Sequence, residues 1–247
     1  MRKFGLIGFP LSHSFSKKFF TEKFQKEQIA GCSYELYPIR EIGMLPALLA
    51  ENTTLEGINV TIPYKLDVMP FLTEVDEAAL EIGAVNCISV DRCADALFLK
   101  GYNTDAYGFE QSLLPLLEHH HRKALIFGDG GAAKAVKYVL KKLKIPFLVV
   151  SRRLSDKTIP YEQLNPVLLA EYTVLINTTP LGMSPDYETY PLFPYEALTP
   201  EHLAYDLVYN PEETTFLRKV RERSGKTKNG LEMLYLQAER SWHIWNL

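Results

Sequence analysis

Short apolar runs alternate with longer amphipathic segments along the 247-residue chain. This is the pattern of α/β architecture, in which buried strands are joined by helices. Arg2–Phe9 is expected to be a buried strand, followed by a Ser14–Glu27 helix with Phe15, Phe19, Phe20 and Phe24 on one face and lysines elsewhere. Tyr34–Ile39 reads as a second strand, Glu41–Ala50 as a helix and Gly57–Thr61 as a third strand. Helical stretches are expected near Tyr64–Leu72 and Val75–Ile82, then a hairpin of Asn86–Val90 and Ala96–Tyr102 turning around Asp91–Asp95. A further helix runs from Asp105 to about His119. Beyond it, Lys123–Phe127, Phe147–Ser151, Thr173–Asn177 and Leu203–Leu207 read as strands. Ala132–Leu143 and the region near Glu213–Glu222 read as helices, and Gly230–Asn246 as a closing amphipathic helix. The chain carries no internal repeat and no low-complexity tract.

Composition narrows the function classes. Apolar residues make up 47% and charged residues 23%, enough to bury a core, so global disorder is excluded. Lys+Arg of 27 against Asp+Glu of 30 leaves a net charge of −3. That balance argues against nucleic-acid or membrane-surface partners, which need dense positive charge. No run approaches the roughly 18 apolar residues of a membrane span. The opening MRKFGLIGFPLSHS, broken by glycines and Pro10, lacks the form of a secretory leader. Cys32, Cys87 and Cys93 form no CxxC pair; free thiols, a reducing compartment and a cytoplasmic location are expected. The His119–His121 run invites a metal reading, but consecutive histidines point in different directions on a helix. A solvated helix end is expected there, and no metal.

Leu125-Ile126-Phe127-Gly128-Asp129-Gly130-Gly131-Ala132-Ala133 has the form of a strand, a glycine turn and a helix start. Gly128 allows the tight turn, Gly130 lets backbone approach a pyrophosphate, and small residues at 131–133 permit close helix contact. The helix N-terminus offers N–H groups and partial positive charge to phosphates, so dinucleotide binding is expected. The next strand runs into Ser151-Arg152-Arg153, where an NAD site usually carries Asp or Glu for the ribose 2′-hydroxyl. Guanidiniums there suit a 2′-phosphate instead, which favours NADP. Asp129 is unexpected inside the turn, because a carboxylate beside the pyrophosphate lowers affinity unless it points away.

The first half places several polar residues at strand ends and adjoining loops, where α/β proteins put their sites. Ser14 and Ser16 start the first helix, where hydroxyls and N–H groups could hold a carboxylate. Thr61 closes a strand, Lys65 opens the next helix, Asn86 begins the hairpin and Asn103-Thr104-Asp105 ends it. Taken singly, each has an ordinary explanation as a cap, turn or surface residue.

Taken together they make the chain resemble the shikimate dehydrogenases. The resemblance runs in order through Gly8-Phe9-Pro10-Leu11-Ser12-His13-Ser14-Phe15-Ser16, Asn59-Val60-Thr61-Ile62-Pro63-Tyr64-Lys65, Gly83-Ala84-Val85-Asn86 and Asn103-Thr104-Asp105. It continues through the glycine turn, Asn177-Thr178-Thr179-Pro180-Leu181-Gly182-Met183, Tyr205-Asp206-Leu207-Val208-Tyr209-Asn210-Pro211, Asn229-Gly230-Leu231-Glu232-Met233-Leu234 and Gln237-Ala238. It implies a two-domain α/β enzyme. A substrate domain over 1–105, completed by 230–247, would be joined to a Rossmann-type NADP-binding domain over 106–229.

The resemblance also implies the reaction: reversible, NADPH-dependent reduction of 3-dehydroshikimate to shikimate, on the route to chorismate and the aromatic amino acids. Lys65 and Asp105 match the catalytic pair. Ser14, Ser16 and Tyr209 match residues that hold the substrate carboxylate; Thr61, Lys65, Asn86, Asp105 and Gln237 match those that contact ring hydroxyls. Gly128, Asp129, Gly130, Gly131, Ala132, Ser151, Arg152 and Arg153 match the NADP(H)-binding segments. Leu207 and Gly230 match backbone contacts to the nicotinamide, and Glu77 is a further cofactor-side position. The implied partner is the small-molecule substrate alone, in a monomer or homodimer. Ala106 stands where the family more often has glycine, and Ser-Arg-Arg where Asn-Arg-Thr is usual. Two alternatives stay open: a quinate/shikimate dehydrogenase using both NAD and NADP, and a non-catalytic NADP-binding relative.

Overall fold

The first apolar run becomes β1 (Arg2–Gly8), buried from Phe4 onward, in a computed structural model that describes residues 1–11, 14–93, 96–152 and 155–247. The chain divides into two compact units, Met1–Tyr107 with Gln237–Leu247, and Gly108–Leu236.

In the first unit β1 is followed by α1 (Phe15–Lys26), β2 (Cys32–Pro38), α2 (Leu45–Glu51), β3 (Leu55–Val60), β4 (Glu74–Val75), α3 (Glu77–Ile82), β5 (Cys87–Cys93), β6 (Ala96–Tyr102) and α4 (Thr104–Leu113). Their sheet has the order β2-β1-β3-β5-β6-β4. The strands β2, β1 and β3 run parallel, while β5 is antiparallel to both β3 and β6. α1 forms because Ser14 accepts the Lys17 N–H at 3.4 Å as N-cap and Phe19, Phe20 and Phe24 recur on one face. That face packs into an aromatic cluster with Phe4, Tyr34 and Trp245; Phe20 stacks on Tyr34 with centroids 4.5 Å apart. Gly57 makes room for the indole, since a Cβ there would lie 2.5 Å from Trp245. The opposite sheet face carries a second core around Leu45, Leu49, Ile58, Val68 and Ala79.

Several expected elements differ. Residues 64–72 form successive turns ending in a short 3₁₀ turn at Met69–Phe71, because Pro70 lacks the N–H that a continuing helix needs. Val75 lies in β4, paired with Gly101, and α3 begins after Asp76, which caps Ala78 N–H at 3.1 Å. The Glu41–Ala50 helix is a 3₁₀ turn at Ile42–Met44 followed by α2. The hairpin strands reach Cys93 and Ala96, so Asp91 belongs to a strand; Ala94 and Asp95 lie outside the described residues. α4 ends at Leu113, well short of His119, and passes into a 3₁₀ turn at Leu114–Leu116, where Pro115 lacks the N–H that would continue the helix.

The second unit contains β7 (Ala124–Phe127), α5 (Gly131–Lys142), β8 (Phe147–Val150), β9 (Thr158–Ile159), α6 (Pro166–Glu171), β10 (Val174–Asn177), β11 (Leu203–Asp206), α7 (Thr215–Arg221) and β12 (Lys226–Lys228). The last helix, α8 (Leu231–Ile244), begins here and ends in the first unit. All strands pair in parallel in the order β12-β11-β10-β7-β8-β9. Counted along the unit, this is the doubly wound 3-2-1-4-5-6 order, with its topological switch between β7 and β10. β7, β10 and β11 are buried along their whole length, as strands covered on both faces must be. Their core holds Phe127, Leu175, Ala204 and Phe216.

His121 corrects another expectation: it is buried rather than solvated. Its Nδ1 accepts the Glu118 N–H at 2.8 Å, which leaves Nε2 to donate to the Glu201 carbonyl at 3.1 Å. Among the described residues, no group of three or more His, Cys, Asp or Glu could hold a metal ion. No described helix is long and apolar enough to cross a membrane.

Candidate active site

Of the expected substrate residues, Ser14, Ser16, Thr61, Lys65, Asn86, Asp105 and Gln237 all belong to the first unit. β3 delivers Thr61 at its end, and Gly8 on neighbouring β1 leaves room for it, since a Cβ on Gly8 would lie 2.5 Å from Thr61 Cγ2. The turns after Thr61 carry Lys65, whose Nζ donates to Asp105 Oδ2 at 2.6 Å. Both side chains are partly buried, at 29% and 22% exposure. An isolated surface lysine would not be held this way; the pair is sheltered enough to be strong and open enough to meet a ligand.

Beneath the pair lies a buried polar network. Asn86 Nδ2 donates to Thr104 Oγ1 at 3.0 Å, and its Oδ1 accepts the Thr104 N–H at 2.6 Å. Thr104 Oγ1 lies 3.2 Å from Ser241 Oγ and 3.4 Å from Gln237 Oε1. Asn59 Nδ2 donates to Ser241 Oγ at 3.0 Å, and Asn59 Oδ1 accepts the Tyr34 hydroxyl at 2.8 Å. The Ser16 side chain is a further hydrogen-bond partner of Tyr34, whose phenol is pushed well above its ordinary range chiefly by burial. Among the described residues no buried side-chain nitrogen or oxygen lacks a partner, so the network is satisfied and rigid. Under it, burial pushes the Cys87 thiol up to about 12, which keeps it protonated.

Tyr34, Asn59 and Ser241 join the site without a role assigned from the sequence, and Asn103 joins it with more than its place at the end of the hairpin. The available signals were a polar residue between Ile58 and Val60 in an apolar strand, and Ser241 one helical turn from Gln237. Ser14 caps α1, and Glu77 is exposed at the start of α3.

The second unit gathers the glycine turn at the carboxyl end of β7. Gly128 has φ +100°, and a Cβ there would meet Thr179 Cγ2 at 2.7 Å, so only glycine fits. A Cβ on Gly130 or Gly131 would meet nothing within 4 Å, leaving open space beside the backbone at the start of α5. Gly130 is the N-cap and supplies no side chain to the first-turn N–H groups, which is the arrangement that receives a phosphate. Asp129 is paired with Lys137. Ser151 is buried with its N–H donating to the Ile159 carbonyl at 3.0 Å, and Arg152 is exposed after β8. Arg153 lies outside the described residues. Leu207 and Gly230 meet backbone to backbone: a Cβ on Gly230 would lie 2.2 Å from the Leu207 carbonyl oxygen. Tyr209 is exposed at 39% in the segment after β11. These residues fit a dinucleotide, whose phosphates need open backbone and whose 2′-phosphate needs an accessible cation.

A doubly wound parallel sheet with an open glycine turn, in a chain whose other α/β unit carries a sheltered lysine–carboxylate pair, defines a two-unit dinucleotide-binding protein. A family model described as the shikimate dehydrogenase substrate binding domain matches residues 6–88. The chain is 35% identical to shikimate dehydrogenase (NADP(+)) of Desulforamulus reducens, over 98% of this chain and 88% of that protein. Shikimate 5-dehydrogenase of Thermus thermophilus, solved with NADP(H) and shikimate, superposes with a TM-score of 0.85 at 30% identity, covering 99% of this chain and 93% of that one. Quinate dehydrogenase of Corynebacterium glutamicum, solved with NAD, has the same TM-score of 0.85 at 26% identity, covering 99% and 93%. The chain belongs to the shikimate dehydrogenase family.

Proposed function

We propose that the protein reversibly reduces 3-dehydroshikimate to shikimate with NADPH, using Lys65 and Asp105 as its acid–base pair. The observation that carries this reading is the 2.6 Å contact between Lys65 Nζ and Asp105 Oδ2 in a partly buried setting. Reduction of a ketone needs a proton at its oxygen. Lys65, as ammonium, donates that proton and stabilises the charge developing there; in the reverse direction neutral Lys65 removes the hydroxyl proton. Asp105 orients the ammonium and accepts from the neighbouring hydroxyl. Ser14, Ser16 and Tyr209 are assigned to the substrate carboxylate, and Thr61, Asn86 and Gln237 to ring hydroxyls. Buried Asn86 and Gln237 are held by Thr104 and so present fixed groups rather than mobile ones.

The cofactor, when bound, supplies or accepts the hydride at the ring carbon. The backbone of Gly128, Asp129, Gly130, Gly131 and Ala132 would hold its pyrophosphate, Ser151, Arg152 and Arg153 its adenosine 2′-phosphate, and Leu207 and Gly230 its nicotinamide side, and Glu77 is assigned as a further cofactor-side residue. Exposed Arg152, with no carboxylate in Ser151–Arg153, supports NADP over NAD. The alternative, a quinate/shikimate dehydrogenase that also uses NAD, draws support from the likeness to the quinate dehydrogenase.

Initial rates with shikimate or quinate, each with NADP⁺ or NAD⁺, test both readings. Turnover should be confined largely to shikimate with NADP⁺. Lys65→Met should lose about 10²–10⁴ in turnover while keeping the thermal shift given by NADP⁺. Unchanged turnover in that variant overturns the acid–base assignment, and comparable rates with quinate and NAD⁺ overturn the specificity.

A further inference from the structure

Three consecutive residues between α3 and β5 reach both sides of the Lys65–Asp105 pair. The Val85 N–H donates to the Lys65 carbonyl at 2.7 Å. Asn86 Oδ1 accepts the Thr104 N–H at 2.6 Å, immediately before Asp105. The Ala84 carbonyl accepts from Asn103 Nδ2 at 2.9 Å, while Asn103 Oδ1 accepts the Ala106 N–H at 3.0 Å, immediately after Asp105. Residues 84–86 therefore form a strap that fixes the Lys65 backbone in its middle and the start of α4 at both ends.

We propose that Asn103 is a positioning residue for the acid–base pair: its amide ties the first turn of α4 to the strap that holds Lys65, and so sets where Asp105 meets the ammonium. The inference rests on the assignment of Lys65 and Asp105 made above. A helix cap alone needs only an acceptor, and Ser, Thr or Asp would serve as well as Asn. The donor half of the amide, aimed at the Ala84 carbonyl across 19 residues of sequence, has no capping function. It is the part that couples the two catalytic segments.

The two halves can be separated. Asn103→Ser keeps an acceptor for the Ala106 N–H and removes the tie to Ala84. Asn103→Asp also keeps the cap, and sets a carboxylate oxygen against the Ala84 carbonyl. Because a displacement of about 1 Å at reacting groups can lower a rate roughly 100-fold, kcat for shikimate oxidation by the full-length Asn103→Ser chain should fall about 10- to 100-fold. KM for NADP⁺ and the melting temperature should stay close to the parent's.

In an Asp105→Asn background the same change should add no further loss, because its effect passes through Asp105. A kcat within about twofold of the parent's overturns the inference. So does a loss that adds in full to that of Asp105→Asn, which marks a merely structural role. Should Asn103→Ser fail to fold, Asn103→Asp is measured in the same two backgrounds and judged by the same outcomes. Failure of the underlying reading looks different: the parent does not oxidise shikimate, or Lys65→Met retains full turnover.

Discussion

Asp206 is fully buried, yet its carboxylate is well provided for: Oδ1 accepts from Asn177 Nδ2 at 2.9 Å and from the Val208 N–H at 3.0 Å, and Oδ2 from Thr214 at 2.6 Å. Burial outweighs these bonds and raises its pKa from 3.8 to about 6. Since the folded value lies above the unfolded one, the group's contribution to stability is complete below about pH 3.8 and is lost as pH rises through about 6. An amide keeps the two bonds accepted at Oδ1 and turns its nitrogen toward the Thr214 oxygen as a donor, without charging. The stability of Asp206→Asn relative to the parent should therefore rise by up to about 3 kcal/mol between about pH 4 and about pH 7.5, read from urea midpoints. Parallel profiles would show that burial does not perturb the group. The difference between variants is the right quantity because His121 acts in the opposite sense. Its pKa is lowered, first by burial and then by His120, so its contribution is complete above 6.5 and is lost as pH falls below that value.

α5 shows how an element can accommodate a residue that its function disfavours. Asp129 sits in the turn that precedes the helix, and Lys137, on the helix itself, neutralises it. Without that lysine the carboxylate would face the pyrophosphate of the proposed cofactor unscreened; two unit charges about 5 Å apart repel by about 1–3 kcal/mol between aqueous and protein-surface dielectrics. Lys137→Gln should raise KM for NADP⁺ by about fivefold or more, less at high salt, and Asp129→Asn added to it should bring KM back. An unchanged KM in the single variant would mean that Asp129 already points clear of the phosphates.

The elements most legible in the sequence were those with enough residues to show a period, such as α1 with its phenylalanine stripe and α5 after its glycines. β4, β9 and β12 have two or three residues each, too few for any period, and they form only because a neighbouring strand offers its edge. Pro70 and Pro115 stopped helices that apolar spacing alone would have continued. The Lys65–Asp105 contact links residues 40 positions apart. No spacing rule predicts such a contact; only the family motifs pointed to it, while the Asn103 tie depends on the path of the backbone.

At the scale of the whole molecule, each unit has its own apolar core, and both tryptophans, Trp242 and Trp245, lie in the first unit. The proposed cofactor residues lie almost entirely in the second. NADP⁺ at about 100 times its Kd stabilises whatever binds it by about 2.7 kcal/mol. Urea unfolding followed by far-UV circular dichroism should therefore shift upward with NADP⁺ by more than unfolding followed by tryptophan fluorescence. Equal shifts by both probes would mean that the units unfold as one cooperative block.

The strand order also determines where the molecule is exposed to misassembly. Two six-stranded sheets have four edges between them, and three of these are β4, β9 and β12, only two or three residues long. Such short edges offer a passing chain almost no ladder to extend. The fourth is β2, seven residues long and closed at one end by Pro38, which has no N–H to give. Strand-mediated aggregation under heat or overexpression has a single place to begin among the described strands, along β2. Solubility can therefore be engineered there, with a charge on that edge, without touching either the acid–base pair or the glycine turn.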